Sequence, residues 1–497
     1  MRRVSLITYA DRLAGDLKKL KDLLDGELSG LFGGVHILPF FNPIDGADAG
    51  FDPTDHLAVD QQLGAWDDVS AIATEHAVMA DMIVNHVSSE SSQFQDVLLN
   101  GTASRFWGLF LRYGDAFGSL DPDAADAKVQ QIYRPRPGVP FTARTLADGS
   151  THEFWTTFSS SQLDINVESA PGQEYLQSIL ETFSAAGVKE VRLDAAGYAI
   201  KRPGTDCFML PETYDFIAAL GAEAHTLGME TLVEIHGHYQ VQCEIAERVG
   251  RVYDFALPPL VLHSLYTNDV SALEHWLRIA PRNCVTVLDT HDGIGIVDVG
   301  AAGDRPGLLS DHEIDSLVEG IHHRTAGKSR RASGNTASNL DIYQVNSTYY
   351  DALGGSDIDY LIARAIQFFA PGTPQVYYVG LLAGENDLGL VERTGVGRDI
   401  NRHYYSREEL LSAINRPVVE ELFALIRLCN SLPVFEGDFC VESSPEQHLV
   451  LSWTHGERSA RLAVDFAQRR ATIAGVLDGE PFEYTIGALT EASREAV

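Results

Sequence analysis

VKEVRLDAAGY, residues 188–198, is the stretch on which the fold reading turns. Val188, Val191 and Leu193 make it dense in branched apolar residues, without the alternation of a half-buried strand. Such a run fits a strand covered on both faces in a parallel sheet. Seven other runs read the same way: Val4–Ala10, Gly34–Phe41, Val78–His86, Thr231–His236, Val252–Leu257, Cys284–Thr290 and Pro374–Val379. With Val188–Ala195 they make eight, each followed by a longer helical stretch. Eight strands separated by helices predict an α/β architecture, a (β/α)₈ barrel.

Two connections are too long for a plain strand–helix unit. Residues 87–167 contain IYRPRPGVPF and FWTTFSSSQLD, which read as loops and short strands of an inserted domain. Residues 294–353 form a second insertion. Long insertions after barrel strands sit on the face where function concentrates. Beyond residue 432 the pattern changes to short alternating runs, HLVLSWTH and SARLAVDFA, which predict a C-terminal antiparallel β domain over 433–497. The barrel is then expected over 1–86, 168–293 and 354–432.

Composition narrows the function classes. The chain has 497 residues, 45% of them hydrophobic, enough for a large core and two to four domains. Against 37 basic residues stand 70 acidic ones, a formal net charge of −33. That field excludes a nucleic-acid backbone or an anionic membrane surface as partner. It also requires that any anionic substrate be met by a few local arginines. The five cysteines, Cys207, Cys243, Cys284, Cys429 and Cys440, show no zinc spacing and fit free thiols in a reducing compartment. The N-terminus turns polar too early for a signal peptide, and no apolar run approaches a membrane span. A cytoplasmic location is expected.

Polar residues gather at the C-terminal ends of the expected strands: DGADAGFDPTDH, IVNH, VRLDAAGY, LVEIHGH and VLDTHDG. Singly, each strand-end carboxylate fits a helix cap or loop partner better than a catalyst. His86, His236, His238 and His291 each fit structural histidines, and the HGH pair lacks a third metal ligand at useful spacing. Together, Asp194, Glu234 and Asp292 come from three strands and converge on the barrel mouth. Converging carboxylates suit acetal cleavage, where one attacks the anomeric carbon and a second, protonated, feeds the leaving oxygen. Arg192, two residues before Asp194, points the same way and is expected to hold it ionised.

The segments ADAGFDP, IVNH, VRLDA, EIH and THD, in this order, resemble the α-amylase superfamily. Within it, LITYADRL, GVHILPFF, IYRPRPG, RVYDFALPPL, SNLDIYQVNSTYY and GRDINRHYY resemble the sucrose phosphorylase family over most of the first 430 residues. The resemblance implies Asp194 as nucleophile, Glu234 as general acid/base and Asp292 as transition-state stabiliser. It implies a glucose pocket of Phe51, His86, Phe158, Gln162, Arg192, Tyr198, His236 and His291, closed by an ion pair of Asp48 with Arg398. It places the acceptors, fructose and phosphate, against Arg136, Asp341, Tyr343 and Gln344, with Arg134 a further cation of the same loop. It implies no cofactor and no metal, small-molecule substrates (sucrose, inorganic phosphate, glucose 1-phosphate and fructose), and a monomer or homodimer. Alternatives remain: a phosphorylase acting on sucrose 6'-phosphate, glucosylglycerate or glucosylglycerol, a retaining α-glucosidase, or a non-catalytic sugar-binding barrel. Asp341 disfavours an anionic acceptor and so favours fructose.

Overall fold

The computed structural model describes residues 3–44, 47–118, 121–134, 138–334 and 342–488, without the side chains of 47, 48 and 122. Eight parallel strands close a barrel: β1 (Ser5–Thr8), β2 (Gly34–Ile37), β3 (Ala77–Ile83), β4 (Glu190–Asp194), β5 (Glu230–Val233), β6 (Arg251–Asp254), β7 (Cys284–Thr286) and β8 (Thr373–Tyr377). Each pairs with its neighbours in sequence, and β8 closes on β1 with Leu6 opposite Val376. All eight lie within or across the expected runs, but they are shorter. The C-terminal parts of those runs, such as Val84–Asn85, Glu234–His236 and Val287–Thr290, leave the sheet and build the loops above it. At the end of β4 the chain turns through Ala195, which adopts φ 54° in the left-handed region. A side chain there costs about 1 kcal/mol, and the turn carries the chain sharply away behind Asp194.

The outer helices follow from spaced apolar residues and capped starts. The helix Ala170–Ala185 begins at Ser169, whose hydroxyl accepts from Gly172 N, and buries Leu176, Ile179, Leu180 and Phe183 on one face. The helix Asp357–Phe369, capped by Ser356, is buried nearly throughout because it lies between barrel and C-terminal sheet. Trp453 of that sheet donates to Phe369 O at 2.8 Å.

The connection after β3 holds more helix than its sequence suggested. Ser92–Asn100, Tyr113–Phe117 and Pro122–Val129 are helical, two of them started by side-chain caps at Ser91 and Asp121. A hairpin, Phe141–Thr145 with Thr151–Trp155, packs Phe141 and Trp155 with Phe117 in a separate small aromatic core. The strand Gln162–Asp164 pairs antiparallel with His86–Ser88 and ties this segment to the end of β3. After β7, Ile294–Gly295 pairs with Gln344–Val345 around a capped helix, Asp311–Arg324. The C-terminal strands Asp438–Val441, His448–His455, Arg458–Asp465, Arg470–Leu477 and Glu480–Thr485 form an antiparallel meander. Among the described residues no helix is long and apolar enough to cross a membrane, and all five cysteines are free.

Candidate active site

The strand-end carboxylates meet in one pocket of about 350 Å³ at the C-terminal mouth of the barrel. Its wall includes Phe51, His86, Phe158, Asp194, Tyr198, Glu234, His236, His291, Asp292, Tyr343, Gln344 and Arg398. Arg192 lies directly beneath. Its Nη1 donates to Asp194 Oδ1 at 2.8 Å and to Asp81 Oδ1 at 2.5 Å, and its Nη2 lies 3.9 Å from Glu234 Oε1. Asp81 Oδ2 meets His36 Nε2 at 2.8 Å. Burial works against the Asp81 carboxylate, but His36 and Arg192 outweigh it and hold it down at about 2. The chain His36–Asp81–Arg192 is thus a buried support that aims one guanidinium at both Asp194 and Glu234. Asp81→Asn should lower kcat by about 10–100-fold with little change in KM, read from steady-state kinetics.

Burial pushes Asp194 up, to about 8; Arg192 pulls against that, and Glu234 and Asp81 add to it. The hydrogen bond from Arg192 opposes that shift and favours the Asp194 anion. Asp292 goes the other way. Burial opposes its charge, but Arg398 at 2.8 Å and Arg402 at 3.7 Å push it well below the carboxylate range. His291 is driven well down by burial, stays neutral, and stacks on Phe51 at 4.8 Å.

The remaining expected residues fall as follows. His86 lines the pocket, with Nε2 3.1 Å from Phe51 O and 3.1 Å from Gln162 Nε2. Gln162 is buried, with its side-chain nitrogen on the His86 ring. Phe158 and Tyr198 meet edge to face at 5.1 Å. His236 stacks on Phe255 at 3.8 Å, and Gln344 lies 3.2 Å from its Nε2. Arg398 Nη1 lies 2.8 Å from Asp292 Oδ1, while its expected partner, the Asp48 side chain, lies outside the described residues, as do Arg136 and Asp341. Arg134 donates to Thr156 O at 3.4 Å. Sequence reasoning missed Asp81, Asp298, Arg402 and the aromatic pair Tyr133 and Phe208. Of these only Asp81 left a signal, as a charged residue inside a run otherwise fit for a buried strand.

Glu234, His236 and Asp292 offer donor atoms within 4.8 Å of one another. Those donors are committed elsewhere: Arg398 neutralises Asp292, and His236 binds Asp298 and Gln344. At the joint between β3, the inserted segment and the loop after β4, a protein cation takes the central place. Lys201 Nζ donates to Asn85 Oδ1 at 3.1 Å and Thr157 Oγ1 at 2.9 Å, lies 2.8 Å from Asp164 Oδ2, and also bonds Tyr198 O. Lys201→Met leaves the buried Asp164 uncompensated and should cost about 3–5 kcal/mol, read by chemical denaturation.

Known proteins place this geometry. A family model of the α-amylase catalytic domain matches residues 10–244. A sucrose phosphorylase of Agrobacterium vitis is 58% identical over 95% of this chain and 96% of its own. One from Bifidobacterium adolescentis is 51% identical over 92% of this chain and 90% of its own. The crystal structure of sucrose 6F-phosphate phosphorylase from Thermoanaerobacter thermosaccharolyticum superposes with TM-score 0.90 at 37% identity, covering 98% of both chains. Barrel order, inserted segment and near-full-length identity agree, and the chain belongs to the sucrose phosphorylase family of the α-amylase superfamily.

Proposed function

We propose that this chain catalyses the reversible phosphorolysis of sucrose to α-glucose 1-phosphate and fructose, by double displacement through a glucosyl ester on Asp194. The observation that carries the chemistry is the single guanidinium of Arg192, set against both Asp194 and Glu234 at the barrel mouth. Asp194 attacks the anomeric carbon while Glu234 gives its proton to the departing fructose oxygen. Phosphate then attacks the ester from the vacated side, Glu234 takes the proton back, and the configuration at the anomeric carbon is retained. Asp292, ionised and gripped by Arg398, stabilises the positive charge that develops on the glucosyl ring.

Phosphate is an anion entering a chain of net charge −33, so its site rests on local cations. Arg398 and Arg136 take that role in this reading, together with the loop of Tyr343 and Gln344; Tyr343 is 41% exposed at the pocket mouth. The resemblance also assigns Asp48 to Arg398 and Asp341 to the neutral fructose, the Asp48 side chain and Asp341 lying outside the described residues. Incubation with sucrose, with and without inorganic phosphate, tests the reading. Equal amounts of fructose and α-glucose 1-phosphate, formed only with phosphate, are expected. Free glucose formed regardless of phosphate would make the protein a glucosidase on the same scaffold, and turnover of sucrose 6'-phosphate alone would move the assignment to that donor.

A further inference from the structure

Asp298 lies outside the pocket wall, just beyond the Ile294–Gly295 strand, and is fully buried. Its Oδ1 accepts from Gln242 Nε2 at 2.7 Å and from Gly237 N at 3.1 Å, and its Oδ2 lies 3.2 Å from His236 Nδ1. A carboxylate this deep is held in place by its donors. Gly295 makes room for it: a Cβ there would lie 2.4 Å from Asp298 Oδ2.

The hydrogen bonds beyond the ring have a fixed direction. Gly293 N donates to Gln344 Oε1 at 3.2 Å, so the amide nitrogen of Gln344 is the atom that faces His236 Nε2, at 3.2 Å. An amide N–H is a donor only, so in the neutral ring Nε2 offers its lone pair and the proton sits on Nδ1; Asp298, Glu234 and Asp292 favour a second proton on the ring, and burial and the Gln344 N–H oppose it. Asp298 is the acceptor that keeps it there. The ring plane is fixed as well, by Phe255 stacked at 3.8 Å and 12°. The same Nε2 lies 3.6 Å from Glu234 Oε1.

We propose that Asp298 is a positioning residue for the acceptor half of the pocket: it fixes the tautomer of His236 and, through that ring, the side chain of Gln344. The proposal rests on the phosphorylase reading and adds to it a residue that touches neither sugar nor phosphate. Asp298→Asn keeps the shape and turns an amide N–H toward Nδ1. The ring proton then moves to Nε2, where it opposes the Gln344 N–H, and the acceptor side loses its order. The donor site, built by Arg192, Asp292 and Arg398, is untouched.

The test separates the two half-reactions. α-Glucosyl fluoride is the donor, because fluoride leaves without help from Glu234. In single-turnover experiments on Asp298→Asn, the fluoride burst should stay within about 3-fold of the parent, while kcat/KM for inorganic phosphate falls at least about 10-fold and more glucose is lost to water. Gly295→Ala, which displaces Asp298 without removing its charge, should shift the partition the same way. His236→Asn with Asp298→Asn should be no worse than His236→Asn alone. Equal slowing of burst and phosphate step, or an unchanged phosphate step in both single variants, would overturn the proposal. A parent enzyme that gives the burst but no phosphate-dependent product would sink the phosphorylase reading instead. Competition between fructose and water for the same glucosyl-enzyme then reads Asp298, with the same loss expected.

Discussion

Asp194→Asn is expected to lose about 10⁴-fold or more in kcat while becoming more stable. The loss follows from position. Asp194 ends β4, is aimed by Arg192 at 2.8 Å, and lies in the pocket wall with Glu234. An amide cannot form the ester, so only the electrostatics of Asp292 and the binding surface remain. The gain in stability follows from burial. In the folded chain Asp194 is pushed up to about 8, above its value in the unfolded chain. Its contribution to stability is therefore complete below the ordinary carboxylate range and is lost as pH rises through about 8. Asn carries no such penalty. Melting curves of the two proteins should nearly coincide at pH 4 and separate by a few degrees at pH 8, the variant higher. Activity of the variant within 10-fold of the parent, after exclusion of contaminating parent enzyme, would remove Asp194 from the nucleophile role.

Glu234→Gln gives the second large effect, and it depends on the donor. Fructose is a poor leaving group and needs the proton of Glu234, so cleavage of sucrose should fall about 10²–10⁴-fold. Fluoride needs none, so the burst from α-glucosyl fluoride should survive within about one order of magnitude. The ratio of the two losses is the diagnostic, because a merely disordered pocket would slow both donors alike.

The barrel was legible because parallel strands covered on both faces need dense branched apolar runs, and such runs stand out without any partner in view. Their ends were read too long, since the residues that leave the sheet at Val84, Glu234 and Val287 are as buried as the strands themselves or nearly so. Helices in the inserted segment escaped notice because they are short; their caps, Ser91 and Asp121, are local signals that periodicity does not weigh. Strand-end carboxylates were visible because barrel geometry assigns them a face. The contact of Gln162 with His86 was not legible, because it arises from packing between two segments far apart in sequence. Asp298 and Lys201 were invisible for a related reason. Each is an ordinary charged residue whose role exists only where distant segments meet, His236 with Gln242 in one case and Asn85 with Asp164 in the other.

The most direct test of the account is to trap the intermediate. Glu234→Gln is mixed with α-glucosyl fluoride without phosphate, quenched in acid, digested, and the peptides are weighed. The account predicts one added glucosyl unit on the peptide that contains VRLDAAGY, located by fragmentation at Asp194 and removed when phosphate is added before the quench. A glucosyl unit on another carboxylate, or rapid turnover with no covalent adduct and inverted product, would contradict it.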